Sequence, residues 1–527
     1  MKIVIADPLP DSAAALLRAQ GWTVDARSGR ALEELLADIA DADGLIVRSA
    51  TKVTKQIIEA APRLRIIGRA GTGVDNVDLS AADERGVLVV NAPGANSISV
   101  AEHTCALMLV LSRSVAIADA QMKQGRWEKK SLQGAELRGK TLGIVGLGRI
   151  GREVAHRALA FEMAVVAHDP FISSQLAEGL SVELLSLDDL CSRADFITLH
   201  VPSTTGTTPL FDRKRLARCK PGVRIINTAR GSLIDEAALA EAISSKQVAG
   251  AALDVFQVEP PDTALTRLPQ VVATPHIAAS TKEAQEMVGA ETAGCVRDFL
   301  QSGIVRNAVN FPSMPPEESK RLQPYITLAE RLGSLLGQLT ENRIEGVAVR
   351  YYGELSGKTH DMLVRAVLVG LFRQVLSSTV TLVNARSIAH QRGIEVTESQ
   401  SSRARDFTSL ISIKFHTDVG ERWAEGAVFA PDEPRLVLLD GVAIESALAG
   451  PMIVIKNNDQ PGVIGEVGTI LGRHGVNIAT FALGRSTTGA VGVVNVEDTK
   501  DNGGLRDNVV EEIQKIPAVL SARLVRI

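Results

Sequence analysis

Residues 141–151 read TLGIVGLGRIG, and an acid, Asp169, stands beyond them. Residues 141–145 are a short apolar run of strand type, followed by Gly146, Gly148 and Gly151 in G-x-G-x-x-G spacing. Residues 149–161 then carry helix-spaced apolar positions, and 164–167 (AVVA) form a second strand ending near Asp169. A lone glycine pattern says little, but strand, glycine turn, helix, second strand and acid together define one kind of site. The glycines let the backbone turn tightly and approach a pyrophosphate, and the helix N-terminus offers free N–H groups to its charge. An acid at that remove accepts hydrogen bonds from an adenosine ribose diol. It also repels a 2′-phosphate, so the expected cofactor is NAD rather than NADP.

The rest of the 527-residue chain is long for one core; a prior of ~150 residues per domain predicts three or four. The net charge of −4 gives no reason to expect nucleic acid or an anionic membrane as a partner. The opening MKIVIADPLP reads as a strand running into a loop, without a signal or transit pattern. The longest apolar run, residues 106–111, is far shorter than the ~20 residues that span a bilayer. Cys105, Cys191, Cys219 and Cys295 show no C-x-x-C spacing, so buried thiols in a reducing compartment are expected, not disulfides or a metal site. A cytoplasmic protein follows as the expectation.

Residues 1–93 alternate strands (2–6, 44–47, 64–68, 87–90) with helical patterns (13–19, 32–39, 55–60), a parallel α/β unit with no glycine fingerprint after its first strand. It reads as a flavodoxin-like partner of the nucleotide unit. Two of its strands end in Arg48 and Arg69, and ligands of open α/β sheets collect beyond the carboxyl ends of strands. Gly71 and Gly73 follow Arg69 and leave bare backbone to wrap an anion. Arg48 alone reads as a surface charge. Asn96 and Ser97 are read as caps of one long helix over residues 99–124, in which His103 is structural. The nucleotide unit then continues with strands at 196–201, 223–227, 250–253 and 271–273, six in all, the number a doubly wound fold requires.

The ends of those strands hold Arg230, Asp254, Glu259 and His276. Oxidising a secondary alcohol by hydride transfer needs a group to take the hydroxyl proton and a cation to hold the substrate's charge. His276 offers an imidazole whose ordinary pKa of ~6.5 suits that proton. Glu259 would orient the ring and stabilise its protonated form. Arg230 offers a planar fork that matches a carboxylate.

GLGRIG with HDP behind it, NTARGSLIDEAAL, LDVFQVEPP and TPHIAASTKEAQ resemble the D-2-hydroxyacid dehydrogenase family. RAGTGVDNVD, NAPGANSISVAEH and the C-terminal half narrow the resemblance to its phosphoglycerate-oxidising branch, over essentially the whole chain. The resemblance implies His276 as base paired with Glu259, and Arg230 as the grip on the substrate carboxylate. It implies cofactor contacts at Gly146, Gly148, Arg149, Ile150, Gly151, Asp169, Val201, Pro202, Ala229 and Asp254, and substrate contacts at Arg48, Arg69, Gly73 and Asn96. It also implies that the chain returns to its first unit, giving a substrate domain of residues 1–97 completed by 285–310 and a Rossmann-type NAD domain of 98–284.

Pro312, Met314, Pro315 and Pro316 mark a linker, and residues 325–450 are mixed, with helical patterns at 326–339 and 363–376 and strands at 344–352, 410–415 and 435–439. This segment resembles the intervening α+β domain of the long-form enzymes (317–450), for which oligomerisation is favoured over a second effector site. Residues 451–527 read strand, helix, strand, strand, helix, strand, and NNDQPGVIGEVGTIL resembles the ACT domain, a module that binds amino acids at paired interfaces. The resemblance places an L-serine effector on Asn457, Asp459 and Asn477, with an amide at 457 where relatives commonly carry a larger His or Tyr. It implies a homotetramer that oxidises 3-phosphoglycerate with NAD. Two other readings stay open at this point: a glyoxylate or hydroxypyruvate reductase on the same scaffold, and a non-catalytic NAD(H)-sensing assembly.

Overall fold

The computed structural model describes residues 1–204, 206–261, 264–312, 316–355, 360–376, 379–401, 406–429, 432–487, 489–497 and 507–527. Of the linker residues named above, Met314 and Pro315 lie outside this set, as do Leu505 and Arg506, the first two residues of LRDNVVEEIQK, the stretch that reads as the last helix.

Four sheets organise the chain. The first is parallel, with strands in the spatial order Thr23–Asp25, Lys2–Ile5, Gly44–Val47, Ile66–Arg69, Leu88–Asn91. That is the flavodoxin-like 2-1-3-4-5 order; the four expected strands are largely apolar because helices cover both faces, and the edge strand Thr23–Asp25, which was not expected, reads TVD and is partly exposed. The second sheet is also parallel, in the order Val271–Ala273, Val248–Leu253, Val223–Asn227, Phe196–Leu199, Thr141–Val145, Ala164–His168, Glu183–Leu184. It has seven strands rather than the expected six. The addition is a two-residue edge strand, too short to leave any periodicity. The order reverses between Thr141–Val145 and Phe196–Leu199, and a crevice opens at such a reversal.

The helix expected over 99–124 is two helices, Ser97–Ser112 and Val115–Lys123, bent by 67°. The backbone N–H of Ala135 donates to the Ser112 carbonyl at 2.9 Å, taking an acceptor a continuing helix would use, and Ser114 at the corner has φ 52°. Asn96 precedes the first helix without capping it through its side chain. Helix Lys282–Ser302 carries the chain back to the first sheet. There a Cβ on Gly68 would lie 2.7 Å from the Thr292 methyl and one on Gly289 3.2 Å from Pro10. Residues beyond it dock on the sheet edge, where Asn310 bonds Val89 and Val87.

Helix Pro316–Leu339 begins ten residues before the expected 326 and runs through Pro324. It packs with helix His360–Arg373 against a third, mainly antiparallel sheet, ordered Glu395–Ser401, Ile344–Gly353, Ser409–Thr417, Gly420–Phe429, Glu433–Leu439, Val442–Ala447. The fourth sheet is antiparallel, ordered Ile478–Ser486, Gly489–Val496, Pro451–Asn457, Val519–Arg526, with helices Val463–Arg473 and Asp507–Gln514 completing the βαββαβ pattern. Asp440 links these last two sheets, its Oδ2 taking Arg422 at 2.5 Å and Lys456 at 2.6 Å. Among the described residues no single helix is long and apolar enough to cross a membrane.

Candidate active site

The glycine turn sits at the reversal of the second sheet. Gly146 follows strand Thr141–Val145 with φ 95°, a left-handed conformation that favours glycine, and a Cβ there would meet the His200 carbonyl at 2.7 Å and Val201 at 2.8 Å. The Val201–Pro202 turn thus lies directly across from the glycine loop. Gly151 is needed for helix packing, since a Cβ would fall 2.1 Å from the Gly146 carbonyl oxygen. Gly148 has nothing within 4 Å of the position a Cβ would take, so the space beside it is open at the N-terminus of helix Arg149–Ala160. Bare backbone facing open space ahead of unpaired helix N–H groups fits a pyrophosphate.

The Asp169 carboxylate accepts from Leu147 N and Phe171 N, each at 2.9 Å, which fixes it beside the glycine loop with lone pairs to spare. Those free lone pairs fit a ribose diol. Arg149 leans onto the first unit, where a Cβ on Gly94 would lie 2.4 Å from its guanidinium. Ile150 packs into the apolar cluster behind the loop. Ala229 N donates to Asn227 Oδ1 at 3.0 Å, holding the turn that presents Arg230.

His276 and Glu259, 17 residues apart in sequence, meet with Nδ1 to Oε2 at 2.8 Å. Phe256 N donates to the other Glu259 oxygen at 3.2 Å, so the carboxylate is itself oriented. With Nδ1 committed, Nε2 is the nitrogen left for a reacting proton. His276 has φ 53°, rare for a non-glycine residue, and the turn is held from beneath. The carboxylate of Asp254, fully buried, accepts from Thr274 Oγ1 at 2.6 Å, Ile277 N at 2.9 Å and Ala278 N at 2.9 Å. Burial pushes that carboxyl up, but His103, Thr274 and the two backbone donors outweigh it and hold it below the ordinary carboxylate range. His103 joins from the long helix, with Nε2 3.4 Å from Asp254 and 3.2 Å from Thr274. Asp254, expected among the cofactor contacts, therefore lies under the histidine turn with His103 and Thr274. Nothing local in the sequence marks that three-way contact.

The basic groups face one another across the cleft between the first two sheets. Arg69 is half-buried, its Nε without a hydrogen-bond partner; burial and the nearby Arg230 cation push it down to about 10. A Cβ on Gly71 would fall 1.8 Å from the Arg69 guanidinium, and one on Gly73 only 1.7 Å from that of Arg230. These glycines are where two arginines lie on bare backbone. Arg48 stands at the end of the neighbouring strand, its backbone N–H donating to Asp7 at 2.5 Å. Asn96 accepts from Thr72 Oγ1 at 2.9 Å on the loop beside them. Asp75, not singled out from sequence, takes both Nε and Nη2 of Arg230 on one oxygen at 2.9 Å. An acid within a glycine loop already read as cationic was the available signal.

In the fourth sheet a cavity of about 310 Å³ is lined by Asn457, Asp459, Pro461, Phe481 and Arg485, among others. Asn457 accepts from Asp459 N at 2.8 Å, and Arg485 donates to Asp459 at 3.1 Å. Asn477 is not part of this cavity within one chain and instead donates to Glu497 at 2.7 Å. All four cysteines are buried and free, and no cluster of three or more potential metal ligands occurs among the described residues.

Family models match three stretches: the D-isomer specific 2-hydroxyacid dehydrogenase NAD binding domain over residues 105–278, the D-3-phosphoglycerate dehydrogenase intervening domain over 321–440 and the ACT domain over 452–517. The chain is 41% identical to D-3-phosphoglycerate dehydrogenase of Archaeoglobus fulgidus and 42% identical to that of Methanocaldococcus jannaschii, in both cases over 100% of each chain. It is 40% identical to the Bacillus subtilis enzyme of the same name, over 94% of this chain and 95% of that one. Among solved structures it resembles D-lactate dehydrogenase from Aquifex aeolicus complexed with NAD and lactic acid, at 29% identity and a TM-score of 0.54, covering 59% of this chain and 100% of that one. NAD-dependent formate dehydrogenase from Staphylococcus aureus in complex with NAD is similar at 30% identity and a TM-score of 0.53, covering 60% of this chain and 100% of the other. The chain belongs to the D-3-phosphoglycerate dehydrogenase family, the branch of the NAD-binding D-2-hydroxyacid dehydrogenases with an intervening and an ACT domain.

Proposed function

We propose that this protein oxidises 3-phospho-D-glycerate to 3-phosphohydroxypyruvate with NAD, the first step of L-serine biosynthesis. The observation that carries the reading is the 2.8 Å contact of His276 Nδ1 with Glu259 at the carboxyl end of the NAD-binding sheet. NAD, when bound, would supply the acceptor for the hydride that leaves C2. Gly146, Gly148, Arg149, Ile150 and Gly151 would hold its pyrophosphate and Asp169 its ribose, with Val201, Pro202 and Ala229 as further contacts.

His276 Nε2 takes the proton of the C2 hydroxyl. The imidazolium that results is stabilised by the Glu259 carboxylate on its other nitrogen, so the base stays oriented throughout the transfer. Asp254 serves by holding the turn on which His276 sits. Arg230 binds the substrate carboxylate with its fork. Arg48 and Arg69 supply positive charge for the phosphate end, with the bare backbone at Gly73 and the Asn96 amide beside them.

The units are a substrate domain of residues 1–97 with 285–310, an NAD domain of 98–284, an intervening domain of 317–450 and an ACT domain of 451–527. The last pair assembles a cytoplasmic homotetramer, and the ACT domain binds L-serine through Asn457, Asp459 and Asn477. The test is turnover of 3-phosphoglycerate against unphosphorylated D-glycerate, followed by the absorbance of reduced nicotinamide. A strong preference for the phosphate ester is expected. Equal turnover of both substrates would move the activity to a glyoxylate or hydroxypyruvate reductase, and no turnover would leave an NAD(H) sensor.

A further inference from the structure

Arg230 is already holding a carboxylate. Its Nε and Nη2, the two donors along one edge of the guanidinium, both point at Asp75 Oδ2 at 2.9 Å, while Nη1 donates to the Ala229 carbonyl at 2.7 Å. The pair spans the cleft. Asp75 lies in the loop between strand Ile66–Arg69 and helix Leu79–Arg85 of the first unit, and Arg230 lies just after strand Val223–Asn227 of the second. Gly73 makes the approach possible, because a Cβ there would fall 1.7 Å from Arg230 Nη2 and 2.7 Å from Asp75 Oδ2.

Two features make this contact exchangeable rather than structural. The Asp75 side chain is 65% exposed and that of Arg230 is 32% exposed, and an ion pair in reach of water contributes little to stability. The Nε/Nη2 edge is also one of the two guanidinium edges that bind a carboxylate in bidentate fashion. With Arg48 and Arg69 on the same side of the cleft, Asp75 and the buried Asp7 are the anions beside a group of three cations, and of these two it is Asp75 that binds the Arg230 guanidinium.

We propose that Asp75 is a positioning residue, an internal carboxylate that occupies the substrate edge of Arg230 until substrate binds and then yields it to the carboxylate of the incoming hydroxy acid. The proposal rests on the reading of Arg230 as the substrate's carboxylate grip. Asp75 keeps the guanidinium extended and in register, and each binding event exchanges one carboxylate for another. Apparent substrate affinity is therefore lower than Arg230 alone would give.

Steady-state kinetics of the full-length enzyme with 3-phosphoglycerate and NAD test this. Asp75→Asn keeps the shape of the side chain and removes its charge. Its KM for 3-phosphoglycerate should fall roughly two- to fivefold, the range of an exposed ion pair, with the KM for NAD unmoved. Asp75→Glu should keep the wild-type KM. In an Arg230→Ala background, where KM is raised, Asp75→Asn should have no further effect, since it acts through Arg230. A raised KM in Arg230→Ala together with an unchanged or raised KM in Asp75→Asn would overturn the inference alone. An unchanged KM in Arg230→Ala would overturn the reading of Arg230, and the inference with it.

Discussion

Asp169→Asn tests the cofactor end of the site with little damage to its scaffold. The carboxylate accepts from Leu147 N and Phe171 N at 2.9 Å each, and an asparagine oxygen can keep the bond to Leu147, so the glycine loop should hold its shape. What changes is the charge. A 2′-phosphate of charge near −2 at about 4 Å from the carboxylate is repelled by about 2 kcal/mol even at the dielectric of water, a lower bound for this half-buried rim. Removing that repulsion favours NADP about thirtyfold. On the other side, replacing a charged acceptor of the ribose diol by a neutral one costs NAD about 1 kcal/mol, or about fivefold. Together these shift the NAD-to-NADP ratio of kcat/KM by on the order of a hundredfold toward NADP, measured at saturating 3-phosphoglycerate. A ratio within about threefold of wild type in a folded enzyme would refute the ribose role. An equal loss with both cofactors would mean that Asp169 serves only to hold Leu147.

Three further outcomes are expected. Glu259→Gln keeps a hydrogen bond to His276 but removes the charge that stabilises the imidazolium, so kcat should fall about 10- to 100-fold in steady-state assays while the KM for NAD holds. Gly73→Ala places a methyl where the Arg230 guanidinium lies; because a flexible side chain end can move aside, the melting temperature should stay put while the KM for 3-phosphoglycerate rises about tenfold. Asp254 has its folded pKa depressed, so the stability it contributes is present above the unfolded carboxylate value of about 4 and is lost as pH falls through the folded value. Asp254→Asn should accordingly lower the melting temperature at neutral pH and flatten its acid limb, which a pH series of thermal melts would read.

Much of this architecture was legible because the signals are local. The glycine turn, its following helix and Asp169 lie within one strand–helix–strand unit, and most inner strands of both parallel sheets are short, largely apolar runs. Arg230, Glu259 and His276 each follow or flank a strand of the second sheet, so the topology alone gathers them. The missed features depend on contacts distant in sequence. The helix break at Ser114 contains no proline or glycine; it comes from Ala135 capturing the Ser112 carbonyl. Strand Glu183–Leu184 exists only because a neighbour pairs with it. The support of His276 by Asp254, Thr274 and His103, and the hold of Asp75 on Arg230, need three-dimensional packing to be seen.

The most direct test of the central claim is His276→Ala, assayed for NADH binding by fluorescence and for 3-phosphoglycerate oxidation in the same preparation. The account predicts unchanged NADH affinity and a loss of turnover of at least about a thousandfold. Turnover near the wild-type level with cofactor bound would contradict it, because the hydroxyl proton would then leave by another group.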